Sequence, residues 1–333
     1  VYRDLGSAGI DVVPSFHPNL VPSFESLLPL AGVSEKVTLF CNESGNYSIF
    51  RSDRYGFNNP DAEWDSPQIE WVLVGDSFTQ GACVQPGEDI AGQIRLITGE
   101  GVLSLGIGGN GPLIELGTLK EYAELSKPKK VLWVYFEGND MVDLAREASV
   151  PLRMRYLRSE FSQKLIHRQR EIDGLINKYV IEAKRENPPS SQKSTVAEAV
   201  IKETRLLRLP NIRQRIGFDH SVDPLFIKVL TQARDQTAAW GGKLYFIYLP
   251  EFKRYSTRVL NQDWYRNRGE VIKIARSLNL PVIDVHQEIF ANHPDPLALF
   301  SFRLSAHYNA EGYSEVAKAI VSGVREKKQR RSP

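Results

Sequence analysis

The sequence is poor in cysteine, in long apolar runs and in net charge, and each shortage excludes a class of protein. Its two cysteines, Cys41 and Cys83, form no CxxC pair and no Cys/His cluster, so we expect no metal and no cofactor. They either form one disulfide or remain as two buried thiols. No apolar run approaches the roughly 18 to 20 residues of a membrane span. Basic and acidic residues number 42 and 40, which argues against nucleic acid as the main partner.

The basic residues are nevertheless unevenly placed along the chain. One basic stretch runs from Arg153 to Arg185, and another from Arg325 to Arg331. Each is either a solvated helix face or a contact surface for an anionic glycan or lipid.

The middle and end of the chain alternate between short apolar runs and helical patterns. The runs, typical of buried parallel strands, are at 71–74, 101–105, 131–136, 243–248 and 281–284. The helical patterns are at about 86–98, 112–126, 224–240, 264–278 and 310–327. This alternation predicts an α/β fold, a three-layer α/β/α sandwich around a five-stranded parallel sheet of the flavodoxin type.

Two regions do not follow the alternation. Residues 1–65 are irregular, with alternating stretches at 37–40 and 47–50 that predict a hairpin leading into the main domain of residues 66–328. Residues 141–223 interrupt that domain with a helical, basic insertion broken at Asn187-Pro188-Pro189-Ser190-Ser191. The insertion is either a cap beside the site or a second helical layer without an active role. Residues 329–333 form a basic tail.

Ligands of open α/β sheets bind at the carboxyl ends of the strands, and three of these ends carry suggestive residues. The first predicted strand is followed by Ser77, at the start of a helix, where it is either a nucleophile or a helix cap. The second is followed by a glycine-rich turn containing Gly109, which suits an oxyanion contact or a plain tight turn. The third is followed by Asn139, an amide donor or a turn residue.

A histidine, His307, stands just before the last predicted helix. An isolated histidine in a loop is usually structural. This one matters because a serine nucleophile needs a general base.

Taken together, the four residues resemble the ordered blocks of the SGNH (GDSL-type) serine hydrolases, in particular their bacterial extracytoplasmic members. The sequence GDSFTQG at 75–81 resembles the first block, the turn with Gly109 the second, GND at 138–140 the third, and HYNAEGY at 307–313 the fifth. The stretch SDRYGFNNP at 52–60 is similar to the lead-in of the extracytoplasmic members. The resemblance spans about 66–328, apart from the insertion.

This resemblance implies a mechanism. Ser77 attacks an ester carbonyl, and His307 takes its proton and later delivers it to the leaving alcohol. The backbone N–H groups of Ser77 and Gly109 and the side chain of Asn139 form the oxyanion hole. The family also places an Asp two or three residues before the histidine, where this chain has Ser305 and Leu304.

The missing Asp leaves three alternatives for this chain. A backbone carbonyl could orient the imidazole, or another carboxylate could substitute, with Asp284 and Asp295 the nearest in sequence. The chain could also have lost catalysis and serve as a binding module.

The expected function is removal of O-acetyl or other short acyl groups from a carbohydrate or cell-envelope ester. An O-acyltransferase acting on an exported polysaccharide is the second hypothesis, and the noncatalytic binding module is the third. The resemblance and the start at Val1 rather than Met lead us to expect a periplasmic or secreted protein, free or membrane-anchored, associated with the cell envelope.

Overall fold

A computed structural model describes residues 12–18, 27–186, 222–256 and 267–329, except for the side chains of 180–186 and 327–329. Strands β1 to β8 span Val13–Pro14, Val37–Cys41, Ser48–Arg51, Ile69–Val74, Gly101–Ser104, Lys130–Phe136, Lys243–Leu249 and Val282–Asp284. Helices α1 to α11 span Ser77–Gln80, Ile90–Thr98, Pro112–Thr118, Asp140–Glu147, Pro151–Met154, Gln169–Glu186, Pro224–Ala239, Lys253–Ser256, Arg268–Ser277, Val285–Glu288 and Ala310–Gln329.

The central sheet has five parallel strands in the order β5–β4–β6–β7–β8. Successive residues of a strand point to opposite faces, so each face carries half of the apolar side chains. One face, with Val72 and Val74, packs against α3, α4, α6, α7 and α9. The other, with Trp71 and Leu73, packs against α1, α2 and α11. The predicted three-layer sandwich with a flavodoxin-type sheet is confirmed.

Local chemistry sets the helix boundaries. The helix expected from about 86 begins at Ile90, because Asp89 accepts a hydrogen bond from the Gly92 N–H and caps it. The helix expected over 112–126 is α3 followed by a π-helical turn, Leu119–Ala123.

The N-terminal segment forms its own small sheet beside the main domain. Strands β2 and β3 are an antiparallel hairpin, and β1 pairs with β2 in parallel. The turn between β2 and β3 contains Glu43.

The described part of the insertion is helical. Helices α5 and α6 and the 3-10 turns Arg155–Leu157 and Leu165–His167 follow α4, and buried Tyr156 and Leu165 join the core on the α3 side. The Pro/Ser break at 187–191 lies outside the described residues, as does the end of the basic tail. No helix among the described residues is both long and apolar enough to cross a bilayer.

Candidate active site

Ser77 lies at the carboxyl end of β4, as the first residue of α1. Asp76 caps the helix, since its Oδ1 accepts a hydrogen bond from the Phe78 N–H at 2.9 Å. The turn before it requires glycine: a Cβ added to Gly75 would lie 2.1 Å from Thr79 Oγ1. The serine hydroxyl is therefore presented on a tight turn from strand to helix.

His307 meets this serine from the other end of the chain. It precedes α11, and its Nε2 lies 2.8 Å from Ser77 Oγ. The imidazole also lies near the Phe78 ring, with 4.7 Å between centroids. Two residues that the sequence placed 230 positions apart are thus within hydrogen-bonding distance.

A residue that sequence analysis missed completes this contact. Glu43, in the turn between β2 and β3, has its Oε2 2.9 Å from His307 Nδ1 and 2.8 Å from the His307 backbone nitrogen. Burial favours the neutral carboxyl, but the hydrogen bonds and charge of His307 outweigh it, so the pKa of Glu43 is lowered from its ordinary value. Glu43 is therefore ionised at neutral pH.

The carboxylates suggested from their sequence proximity to His307 lie elsewhere. Asp284 pairs with Arg268 and caps α10 through the Gln287 N–H. Asp295 pairs with Arg303 at 2.6 Å. Neither is bonded to the imidazole, whose Nδ1 faces a side-chain carboxylate rather than a backbone carbonyl.

The glycine-rich turn after β5 packs closely against the end of α1. Gln80 Oε1 accepts from the Gly108 N–H at 2.7 Å, and a Cβ on Gly106 would lie 2.4 Å from the Gln80 nitrogen. Gly109 follows with φ of +78°, a left-handed conformation that favours glycine. On its outer side, His17 Nδ1 bonds to the Gly108 carbonyl at 2.7 Å.

Asn139 follows β6 and directly precedes α4. Its Nδ2 donates to Asp143 Oδ2 at 2.9 Å, and a hydrogen bond from Asn139 also acts to lower the pKa of Asp76. The Asp143 carboxylate on α4 therefore orients the amide.

Buried carboxyl groups surround this amide. Burial raises the pKa of Asp76 to about 6, although the Phe78 N–H and the charge of His307 oppose the shift. Burial, aided by the charge of Asp76, raises the pKa of Asp140 well above its ordinary value. Two buried carboxyl groups with raised pKa values thus lie on either side of Asn139 in the site, one before Ser77 and one at the start of α4.

The two cysteines are joined in a disulfide, with 5.3 Å between the Cα atoms of Cys41 and Cys83. Of the two alternatives that the sequence left open, one disulfide or two buried thiols, the structure shows the disulfide. Cys83 is buried, and its Sγ lies 3.7 Å from His307 Nδ1.

No family model matches the chain, and no curated protein matches it. Among solved structures, an acetyl xylan esterase is similar at 15% identity and a TM-score of 0.43, covering 77% of this chain and 100% of that one. A lipase/acylhydrolase from Enterococcus faecalis is similar at 14% identity and a TM-score of 0.44, covering 78% and 97%. A two-domain esterase active on acetylated mannans is similar at 13% identity and a TM-score of 0.38, covering 82% of this chain and 53% of that one. At these values, function has to be argued from the site itself.

Proposed function

We propose that this protein is a serine-dependent ester hydrolase in which Ser77 is the nucleophile and His307 the general base. The observation that carries the proposal is the 2.8 Å contact between Ser77 Oγ and His307 Nε2. A nucleophile within hydrogen-bonding distance of a base that a third group orients is the arrangement that covalent acyl transfer requires.

The reaction follows from these positions. Ser77 Oγ attacks the ester carbonyl while its proton moves to His307 Nε2. The tetrahedral intermediate collapses, and the same proton passes to the departing alcohol oxygen. Water then attacks the acyl-serine, with His307 again taking and returning a proton, and releases the carboxylic acid.

The oxyanion of the intermediate needs donors on the side opposite His307. The Ser77 N–H at the start of α1 and the Gly109 N–H come from two strand ends that pack together, and the Asn139 side chain comes from a third. Removing one such donor typically costs about 2.7 to 4 kcal/mol of transition-state stabilisation.

For the substrate we propose an O-acetyl or other short acyl ester of a carbohydrate or cell-envelope component. The sequence contains no long apolar lid pattern of the kind that would favour long acyl chains. We propose an extracytoplasmic location, and the Cys41–Cys83 disulfide supports it because such bonds persist in oxidising compartments.

The test is hydrolysis of p-nitrophenyl acetate by the wild type, Ser77→Ala and His307→Ala. We expect release of nitrophenol by the wild type, and a loss of at least about 10³-fold in kcat for each variant. Wild-type activity that Ser77→Ala retains would refute the mechanism. Turnover that appears only with an added acceptor sugar, and yields acylated sugar, would replace hydrolysis by acyl transfer.

A further inference from the structure

The SGNH pattern expects an acidic residue two or three positions before His307, where this chain has Ser305 and Leu304. His307 is nevertheless hydrogen-bonded to a carboxylate, that of Glu43. Glu43 Oε2 contacts both the His307 backbone nitrogen at 2.8 Å and Nδ1 at 2.9 Å. A carboxylate only accepts hydrogen bonds, so both nitrogens donate. The neutral imidazole therefore carries its proton on Nδ1, which leaves Nε2 as the acceptor facing Ser77 Oγ.

A carboxylate in this position acts in two ways. It selects the tautomer that can accept the serine proton, and its negative charge stabilises the imidazolium that forms during attack. The bond to the backbone N–H also fixes the carboxylate relative to His307, so the two groups are aligned by one oxygen atom.

Glu43 does not belong to the main sheet, and specific contacts hold its turn against the site. Cys41, two positions before it, is disulfide-bonded to Cys83. Ser48, just after the turn, donates through its hydroxyl to the Val84 carbonyl at 2.6 Å. Both anchors lie on the segment that follows α1.

This segment is tied to the nucleophile. The Ala82 N–H donates to the Ser77 carbonyl at 3.0 Å, directly before Cys83. The disulfide therefore links the turn that carries Glu43 to the turn that carries Ser77. It also packs beside the imidazole, with Cys83 Sγ 3.7 Å from Nδ1.

We propose that Glu43 is the positioning residue for His307, and that the Cys41–Cys83 disulfide holds it there, so that full activity requires the oxidised protein. The inference rests on the proposed hydrolase function and deepens it. Reduction frees the turn by adding a hydrogen to each sulfur, with a thiol reductant or phosphine supplying the two electrons. The Glu43 side chain is 36% exposed, so water competes for it once the turn is released.

The first experiment compares Glu43→Gln, Glu43→Ala and Glu43→Asp with the wild type on p-nitrophenyl acetate. Loss of a buried triad Asp lowers kcat by about 10⁴. Because Glu43 is partly exposed, we expect a smaller fall of about 10²-fold for Glu43→Ala and Glu43→Gln, with KM unchanged within about threefold. Glu43→Asp should recover part of the loss, since the charge remains but its reach is one methylene shorter. Asp295→Asn is the matched control and should keep kcat within about threefold.

The second experiment tests the disulfide with a double-mutant cycle. The Cys41→Ser/Cys83→Ser variant and the phosphine-reduced wild type should lose most of the activity that Glu43→Ala loses, and reoxidation of the wild type should restore it. Adding Glu43→Ala to the cysteine variant should then cause little further loss, because the carboxylate is already displaced. Thermal unfolding of each variant confirms that it is folded at the assay temperature.

Imidazole nitrogen shifts, measured by NMR on the same proteins, report the His307 tautomer without relying on turnover. We expect the Nδ1–H form in the oxidised wild type and a mixture of tautomers in Glu43→Ala, which leaves no side-chain oxygen to accept the Nδ1 proton. If Glu43→Gln keeps wild-type kcat while Ser77→Ala abolishes it, the positioning role is wrong and the hydrolase function stands. If the wild type does not hydrolyse esters, the hydrolase function fails, and an unchanged tautomer in Glu43→Ala would overturn the positioning role as well. Cysteine variants with wild-type kcat would overturn the role of the disulfide.

Discussion

His17 offers a prediction about the proposed oxyanion hole, because it bonds to the peptide whose N–H we propose as an oxyanion donor. Its Nδ1 lies 2.7 Å from the Gly108 carbonyl. A carbonyl only accepts, so Nδ1 carries the proton. Burial lowers the pKa of His17 below its ordinary 6.5, although the bond to Gly108 opposes this, so the ring is neutral at physiological pH.

The Gly108 carbonyl and the Gly109 N–H belong to the same peptide unit, and in a trans peptide they point in opposite directions. The bond from His17 to the carbonyl therefore sets the direction of the N–H that we assign to the oxyanion. One hydrogen bond contributes about 1 kcal/mol net, or about 5-fold in an equilibrium. Outright loss of an oxyanion donor costs about 10² to 10³ in kcat. We expect a loss of about 5- to 10-fold, since Gln80 still holds the turn from the other side.

His17→Phe is the informative substitution. The His17 ring packs against Gly108, with its Cε1 2.6 Å from where a Cβ on Gly108 would lie. Phenylalanine keeps the ring packing and removes the donor, whereas His17→Ala removes both. The assay is p-nitrophenyl acetate hydrolysis, and both variants should lower kcat with little change in KM. A wild-type kcat in His17→Phe, with a loss only in His17→Ala, would show that packing rather than the hydrogen bond matters.

Two further predictions concern stability. Asp53→Ala should lower the free energy of unfolding by at least about 3 kcal/mol in urea titrations, because the buried carboxylate accepts four hydrogen bonds whose donors would lose their partner. Asp61→Ala, which breaks a largely exposed pair with Arg54, should cost no more than about 1 kcal/mol, and equal losses would contradict this. Burial raises the pKa of Glu147 from 4.5 to about 7, so the folded protein binds a proton that the unfolded chain releases in this range, and the group reduces stability as pH rises from about 4.5 to 7. The free energy of unfolding of Glu147→Gln should therefore fall less than that of the wild type over this range, and parallel curves would exclude the shift.

The fold was predictable because its strands are buried on both faces. A run such as that at 131–136 is apolar throughout, which is typical of a buried parallel strand. In the structure this run forms β6, Lys130–Phe136. The helix ends were less predictable. Capping by Asp89 decides where α2 begins, and it acts within a stretch whose apolar spacing already looked helical.

The position of Ser77 followed from the same physics, because it directly follows a strand at the carboxyl edge of the sheet. His307 was singled out because a serine nucleophile needs a base and because of the resemblance, and its Nε2 lies 2.8 Å from Ser77 Oγ. Their catalytic roles, and those of Gly109 and Asn139, stay predictions that the kinetic experiments test.

Glu43 was not predictable by this reasoning, and the cause is physical. The rule that ligands bind at the carboxyl ends of parallel strands points to residues at those strand ends. Glu43 lies instead in the turn of a separate hairpin, 264 positions before His307. Nothing in the local sequence sets how that hairpin docks. One signal was present: Cys41 stands two positions before Glu43, and Cys83 six positions after Ser77. If the two cysteines are bonded, the residues between Cys41 and the next strand must lie close to the nucleophile, and the acidic one among them becomes the candidate partner for the base. A disulfide that ends near the nucleophile is therefore a better guide to the missing carboxylate than proximity in sequence to His307.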